Sequence, residues 1–382
     1  MQKSAEAIVI GGGVIGTSIF YHLARQGMRD VVLLERDIPG AGSSGKSAAL
    51  VRQHYSNEVT IRLAQKSLEI FQHFPDWVGG SAGFRQTGWL QISPPALQRA
   101  TEEVVALQHA LGVRSELLSP EAVQELFPAL NTAEVAVGAY EPEGGYADPH
   151  SVLSSFVNRA RELGGKVYMG TPVRQVLVEK ERVKGVVTDK GTIEAPIVVG
   201  AVGPWAQEVG KMIGVEFPLQ VLRSQVAIFQ PKQPEENPPL VVVDPLHDTY
   251  FRPETGNITL IGGTEGIAPE KRRIDDPNSY NEKADPEYVQ GISEKLCRRL
   301  PSFENAGFVR GWAGPITVTP DWHPILGPLP GLEGFYCAVG FSGHGFKLSP
   351  AIGLAMAELI TQGKATTVDL TPFRFTRFAE GD

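Results

Sequence analysis

Cysteine is nearly missing from this chain: two residues in 382, Cys297 and Cys337, far apart and without metal-ligand spacing. That excludes a disulfide framework, and the reducing cytoplasm is the expected location. The histidines, spread from His22 to His344, show no ligand spacing either, so no metal site is expected. Long apolar runs are absent; none approaches the roughly 18 residues from which a membrane-spanning helix is read. Positive charge is in deficit, 35 Lys and Arg against 43 Asp and Glu for a net charge of −8. This argues against a nucleic acid or an anionic membrane as partner, and leaves room for a local basic pocket. The opening "MQKSAEAIVIGGG" runs almost at once into a strand, so a signal peptide is not expected. No internal repeat is visible.

What is present is a chain able to build a large core. It is 42% hydrophobic and 20% charged, outside the disordered range, and its length suits two or three lobes.

Residues 7–35 read as one unit. "AIVI" is a short apolar run of the kind buried on both faces of a parallel sheet. "GGGVIG" follows, with Gly11, Gly13 and Gly16 in G-x-G-x-x-G spacing, then a helical pattern ended by Gly27, then the strand "VVLLER". Gly11 permits the tight turn, Gly13 lets a pyrophosphate approach the backbone, and Gly16 lets helix and strand pack closely. The helix N-terminus, at Val14 and Ile15, offers unpaired N–H groups to phosphate. Glu35 lies close to the roughly 20-residue spacing of a ribose-binding acid, with Arg36 beside it. A bound dinucleotide is expected here. The motif alone does not choose NAD or FAD, but no second G-x-G-x-x-G unit follows.

Two further glycine clusters stand out: "GAGSSGKSAALVRQHY" (40–55) and "GFSGHGFKLSPAIG" (340–353). The second follows the apolar run "FYCAV" and reads as strand, turn and helix. Ser349 is the expected N-cap, Pro350 the first helical residue and Gly363 the C-cap. The glycines Gly343 and Gly345 let something flat lie against the backbone. Lys347 adds positive charge at a helix N-terminus, which suits a site where negative charge develops, as on a reduced flavin.

These stretches, with "VVGAVGPWA" (198–206) and "WAGPITVTPDWHPILG" (312–327), resemble in order the D-amino-acid-oxidase-like flavoenzymes. Within them the chain is most similar to the sarcosine oxidase and glycine oxidase branch, which includes the β subunits of heteromeric sarcosine oxidases. The resemblance implies an α/β chain (α+β overall), with a Rossmann-like FAD-binding domain of the glutathione-reductase type. That domain is expected to be discontinuous, over 1–85, 147–218 and 308–382, with an antiparallel-sheet substrate domain over 86–146 and 219–307. The residue patterns agree, with strands read in "GFRQTGWLQIS", "LQVLRSQVAIFQP" and "HDTYFRPETGNITLIGG" and helices near 95–111, 119–126 and 286–299.

By the same resemblance, FAD contacts fall on Ser43, Ser44, Lys46, Ser47, Ala48, Ala49 and Leu50. Others fall on Val173 near the adenine, on Gly203, Trp205 and Gly314, and on Gly343, His344, Gly345, Phe346 and Lys347. The implied reaction takes a hydride from a C–H next to nitrogen onto flavin N5; the imine then hydrolyses and O2 becomes H2O2. Sarcosine would give glycine and formaldehyde. Arg52 and Lys347 would hold the substrate carboxylate, Arg52 through its planar fork. Tyr250, Trp312 and His54 complete the substrate-side candidates. Each has a structural alternative: an ion pair or phosphate contact for Arg52, a surface position for Lys347, and core packing for the other three. Asp321 reads as a turn residue.

Two departures matter. The residue where such enzymes tether FAD through cysteine aligns with Gly314, so non-covalent FAD is expected. The residue where they carry an oxygen-activating lysine aligns with Leu260. Three readings therefore stay open: an oxidase of small secondary or N-methyl amino acids; the catalytic subunit of a heteromeric dehydrogenase passing electrons to a partner; and a flavin-binding assembly protein without turnover.

Overall fold

The run Ala7–Ile10 is a fully buried strand that pairs in parallel with Val31–Leu34 on one side and Val198–Gly200 on the other. Around it the computed structural model, which describes residues 1–263 and 269–379, forms a six-stranded sheet. The expected segments 219–307 and 308–382 thus each include residues outside the described ones. The sheet extends in parallel to Lys166–Tyr168 at one edge and to Phe335–Val339 at the other, where antiparallel Ile325–Pro328 closes it.

Alternation along the strands explains the continuous apolar runs. Ala7, Val9, Val31 and Leu33 face a core shared with the helices Val14–Arg25, Pro149–Glu162 and Gly345–Gln362. Ile8, Ile10, Val32 and Leu34 face the opposite core, shared with a three-stranded antiparallel sheet and the helix Ala206–Ile213. A strand covered on both faces has no position for a polar residue. The three-stranded sheet comprises Val173–Glu179, Arg182–Thr188 and Gly191–Glu194, and its first turn carries Lys180 and Glu181 both at positive φ, as a type I′ two-residue hairpin requires.

The second large sheet has eight strands. It gathers Trp89–Ser93, Glu116–Leu118 and Val137–Glu141 from one part of the chain and Gln220–Gln230, Val241–Asp244, Thr249–Glu254, Ile258–Gly263 and Gly307–Val318 from another. The two groups meet at Val241–Asp244 and Trp89–Ser93, a parallel pair within an otherwise antiparallel sheet. The boundary at 307/308 falls at the start of the strand Gly307–Val318. That strand stays in this sheet to Val318 by pairing with Gln220–Gln230, with one register shift at Ile228 and Phe229. The expected helices are Gln98–Ala110, Pro120–Leu126 and Pro286–Arg299; Ser119 caps the second by accepting from the Ala122 amide.

No helix among the described residues is long and apolar enough to cross a membrane, and no cluster of three or more potential metal ligands occurs among them.

Candidate active site

Between the two large sheets lies a cavity of about 630 Å³. Ile10, Leu34, Ala201 and Ala338, at the carboxyl ends of the parallel strands, form one wall; Ser224, Val226, Val243 and Tyr250 of the eight-stranded sheet form another. The carboxyl ends of parallel strands are where open α/β sheets bind ligands.

At one end the glycine turn shows its reasons. Gly11 has φ +107°, and a Cβ there would stand 2.4 Å from the Ala201 carbonyl oxygen. A Cβ on Gly16 would stand 1.9 Å from the Gly11 oxygen, so Gly16 serves helix packing and does not line the cavity. A Cβ on Gly13 would meet only the Ser44 hydroxyl, at 3.3 Å; the turn is open on the cavity side. Glu35 is buried there. Its carboxylate accepts from the Gly12 amide at 2.6 Å and the Asp37 amide at 2.8 Å, which leaves lone pairs for a sugar hydroxyl.

The 40–50 loop lines the middle. Ser43, Ser44, Lys46, Ser47, Ala48, Ala49 and Leu50 all reach the cavity, as do Arg36, Val173, Gly203, Trp205 and Gly314. The Ser44 hydroxyl accepts from the Val14 amide at 2.9 Å, fixing this loop to the helix N-terminus. Lys46 turns its amine to the Tyr280 hydroxyl, 2.6 Å, and to Glu282, 2.9 Å. Those partners belong to a stretch that the sequence reading missed. Pro277, Asn278, Tyr280 and Glu282 also line the cavity. The Asn278 side-chain oxygen accepts from Arg36 at 2.7 Å and from the Trp205 indole at 2.9 Å, while its amide nitrogen donates to Glu208 at 3.0 Å. The Arg36 guanidinium lies 3.9 Å over the Trp205 ring. "DDPNSYNE" reads only as a loop, and nothing in its composition tells what it covers.

The other end is built by "GFSGHGFKLSP", and here the helix differs from expectation. It starts at Gly345, with His344 as N-cap, so Pro350 lies inside it. Ser349 is no cap. Its hydroxyl donates at 2.8 Å to the Phe346 carbonyl, the acceptor four residues before Pro350 that proline leaves without a helical N–H. The consequence falls on Lys347: as the third helical residue it is only 9% exposed, with its amine 3.5 Å from the Gly343 carbonyl. Burial, and then the Arg52 guanidinium, holds this amine well below its usual range.

Arg52 faces the same cavity. It follows the short strand Leu50–Val51, which pairs with Gly145–Tyr146. Its guanidinium donates to the His54 carbonyl and lies 4.3 Å over the Tyr55 ring and 5.6 Å over Trp89. Among the described residues no carboxylate forms an ion pair with Arg52 or with Lys347, so the cavity brings together two cationic side chains and no paired anion.

Tyr250 lines the cavity opposite Gly262 on the neighbouring strand, and burial pushes its hydroxyl up to about 12. Leu260 lies in an apolar cluster with Ala48, Val226 and Ile228. His344 lines the cavity with its Nδ1 3.1 Å from the Tyr55 hydroxyl. Gly343, Gly345 and Phe346 line it as well. Trp312 and His54 do not. The Trp312 indole donates to the Lys46 carbonyl at 3.0 Å, behind the 40–50 loop. His54 packs 5.1 Å from the Trp89 ring, and burial pushes it down to about 3. No cysteine lines the cavity: Cys337 is buried in its strand and Cys297 lies on the helix Pro286–Arg299.

Comparison with known proteins agrees with this architecture. The family model described as "FAD dependent oxidoreductase" (DAO) matches residues 6–359. Dimethylglycine dehydrogenase, mitochondrial, of Homo sapiens is 29% identical over 393 residues, covering 99% of this chain and 45% of that protein. Sarcosine dehydrogenase, mitochondrial, of Homo sapiens is 30% identical over 373 residues, 95% of this chain and 40% of that one. The chain thus spans about half the length of the curated relatives it matches. Among solved structures, L-proline dehydrogenase from P. horikoshii has a TM-score of 0.92 and 30% identity, with 100% of both chains covered.

Proposed function

The chain belongs to the DAO family of FAD dependent oxidoreductases, and from that premise we propose that it oxidises the C–N bond of a small secondary or N-methyl amino acid. It is an FAD-dependent oxidoreductase. The cavity fits the cofactor: Gly13 is open beside a helix N-terminus, Glu35 stands at the strand end, and a second helix N-terminus carries Lys347 at the far end. FAD is held without a covalent bond to cysteine, since the position read as a tether is Gly314 and no cysteine reaches the cavity. When bound, FAD supplies a two-electron acceptor.

The observation that carries the substrate class is the pair Arg52 and Lys347, two basic side chains lining one cavity without an ion-paired carboxylate among the described residues. Two like charges brought together favour binding of an anion. A carboxylate gripped between them would leave the adjacent C–N bond along the cavity, walled by Tyr250, Val226 and Leu50. Relatives named for sarcosine, dimethylglycine and L-proline support the same class.

Two electron acceptors are proposed. One is O2, which would make the protein an oxidase. The other is a partner electron carrier, and the specific observation favouring it is Leu260, an apolar residue in an apolar cluster where the resemblance implies an oxygen-activating lysine. An assembly protein without turnover is set aside, since both Arg52 and Lys347 line the cavity. We also propose the domain division of the sequence reading, except that the strand Gly307–Val318, paired with Gln220–Gln230, stays with the second domain. A glutathione-reductase type for the first domain is supported by the antiparallel sheet inserted between Lys166–Tyr168 and Val198–Gly200. A cytoplasmic location is supported by two unpaired thiols.

The test is anaerobic addition of sarcosine, and separately of L-proline, to the holoenzyme while its visible spectrum is recorded. Bleaching of the flavin band by either supports the reading; rapid recovery in air assigns O2, and persistent bleaching assigns a partner carrier. A band that neither amine bleaches overturns the substrate class.

A further inference from the structure

Behind Arg52, away from the cavity, lies a carboxylate with no exposure at all. Glu141 ends the strand Val137–Glu141 and is 0% exposed. A buried carboxylate is costly unless it is hydrogen-bonded and balanced by charge. One oxygen accepts from the Gln53 amide at 2.7 Å and the other from the Gln108 side chain at 2.6 Å. No lysine or arginine among the described residues forms an ion pair with it. Burial raises its pKa to about 7, and the Arg52 guanidinium is the cation that favours its charged form.

The backbone on both sides of Arg52 is tied to the stretch from Val137 to Tyr146 that carries this acid. On one side, Leu50 and Val51 pair with Tyr146 and Gly145. On the other, the amide of Gln53 is held by Glu141 itself. Trp89, one of the two rings under the Arg52 guanidinium, is the cross-strand partner of Glu141. Arg52 also feels a second cation in front, Lys347, and like charges in one cavity push each other apart unless a negative charge balances them.

We propose that Glu141 is the positioning residue for Arg52: from behind the cavity it fixes the backbone at Gln53 and, in its ionised form, supplies the buried negative charge that keeps the guanidinium at the substrate-carboxylate site. The inference rests on the reading that Arg52 binds that carboxylate. Glu141 does not itself line the cavity; it acts through Arg52.

Acetate serves as the probe, titrated into the holoenzyme above pH 7, where Glu141 is ionised, and followed by the flavin difference spectrum. Glu141→Gln keeps the shape and removes the charge, and is expected to weaken acetate binding about tenfold, the size of a strongly coupled pair. The double variant Arg52→Ala/Glu141→Gln is expected to bind acetate no more weakly than Arg52→Ala alone, a coupling that general loosening of the fold would not produce. If Glu141→Gln binds acetate as the unaltered protein does while Arg52→Ala does not, the inference is overturned and the role of Arg52 stands. If Arg52→Ala itself binds acetate normally, or acetate leaves the unaltered spectrum unchanged, the carboxylate reading falls and the inference with it. Should Glu141→Gln fail to fold, Gln108→Leu, which removes one of the two donors, carries the test with about threefold weakening expected and unchanged binding overturning it.

Discussion

Tyr250 lies across Gly262 so closely that a Cβ at 262 would stand 2.2 Å from the tyrosine hydroxyl oxygen. The two residues are cross-strand partners, and the missing side chain is what lets the ring lie against the sheet and reach the cavity. Gly262→Ala is therefore expected to displace the ring, at a cost of about 1–3 kcal/mol typical of overpacking. Tyr250→Phe combined with Gly262→Ala should recover part of that loss, because the atom nearest the new methyl is the hydroxyl. Urea unfolding of the single and double variants checks it; equal stability of the two would assign the clash to the ring carbon Cζ, 2.4 Å from the same Cβ, and not to the hydroxyl.

Lys347 gives a pH signature. Burial first and Arg52 second hold its pKa well below 10.5, and His344 and Arg52 are the groups whose charge it feels or affects at this end of the cavity. An anion between Arg52 and Lys347 favours the ammonium form, so acetate binding should take up a proton and weaken as pH rises through the depressed value. Lys347→Met should flatten that dependence and weaken acetate about tenfold on the acidic side. In the unliganded protein the same shift has the opposite sense for stability. The folded state binds fewer protons at this lysine than the unfolded chain, so the group's contribution rises with pH across the window up to 10.5. Titrations of acetate affinity and of urea midpoint against pH, with and without Lys347→Met, separate the two effects.

Asn278 joins three residues of the cofactor cleft: Arg36, Trp205 and Glu208. Asn278→Ala removes all three hydrogen bonds, and FAD should leave about tenfold faster on dilution, a change of the size of one or two net hydrogen bonds. Release is measured by the rise of free-flavin fluorescence. A rate equal to that of the unaltered protein would mean that the 276–282 loop does not retain the cofactor.

What was legible in the sequence was local. The turn at Gly11–Gly16 could be read because its residues carry their reasons in their own spacing. Gly363 could be read because a helix end at φ +75° favours glycine. Ser349 and Pro350 misled for the same reason: a serine before a proline is a good local start signal, and only the Phe346 carbonyl inside the fold shows that the hydroxyl replaces the missing N–H. Trp312 has the strand parity of Gly314, which does line the cavity, yet lies further along the strand where its indole meets the Lys46 carbonyl. Asn278 and Glu141 could not be found at all. One sits in a stretch without periodicity, and the other is a single acid at a strand end whose burial comes entirely from segments distant in the chain.

The six-stranded sheet sets the strand Ala7–Ile10 beside Val198–Gly200, and that beside Phe335–Val339. The phosphate end of the cleft is thus encoded early in the chain and the Lys347 end late. A ribosome delivers the glycine turn long before the helix that completes its ligand site. Until that helix arrives, the apolar face of Val14–Arg25 lacks the helix Gly345–Gln362 as its cover. Capture of the cofactor therefore waits until Gly345–Gln362 has been made, and a nascent chain that stops before it exposes an apolar face of the kind chaperones recognise.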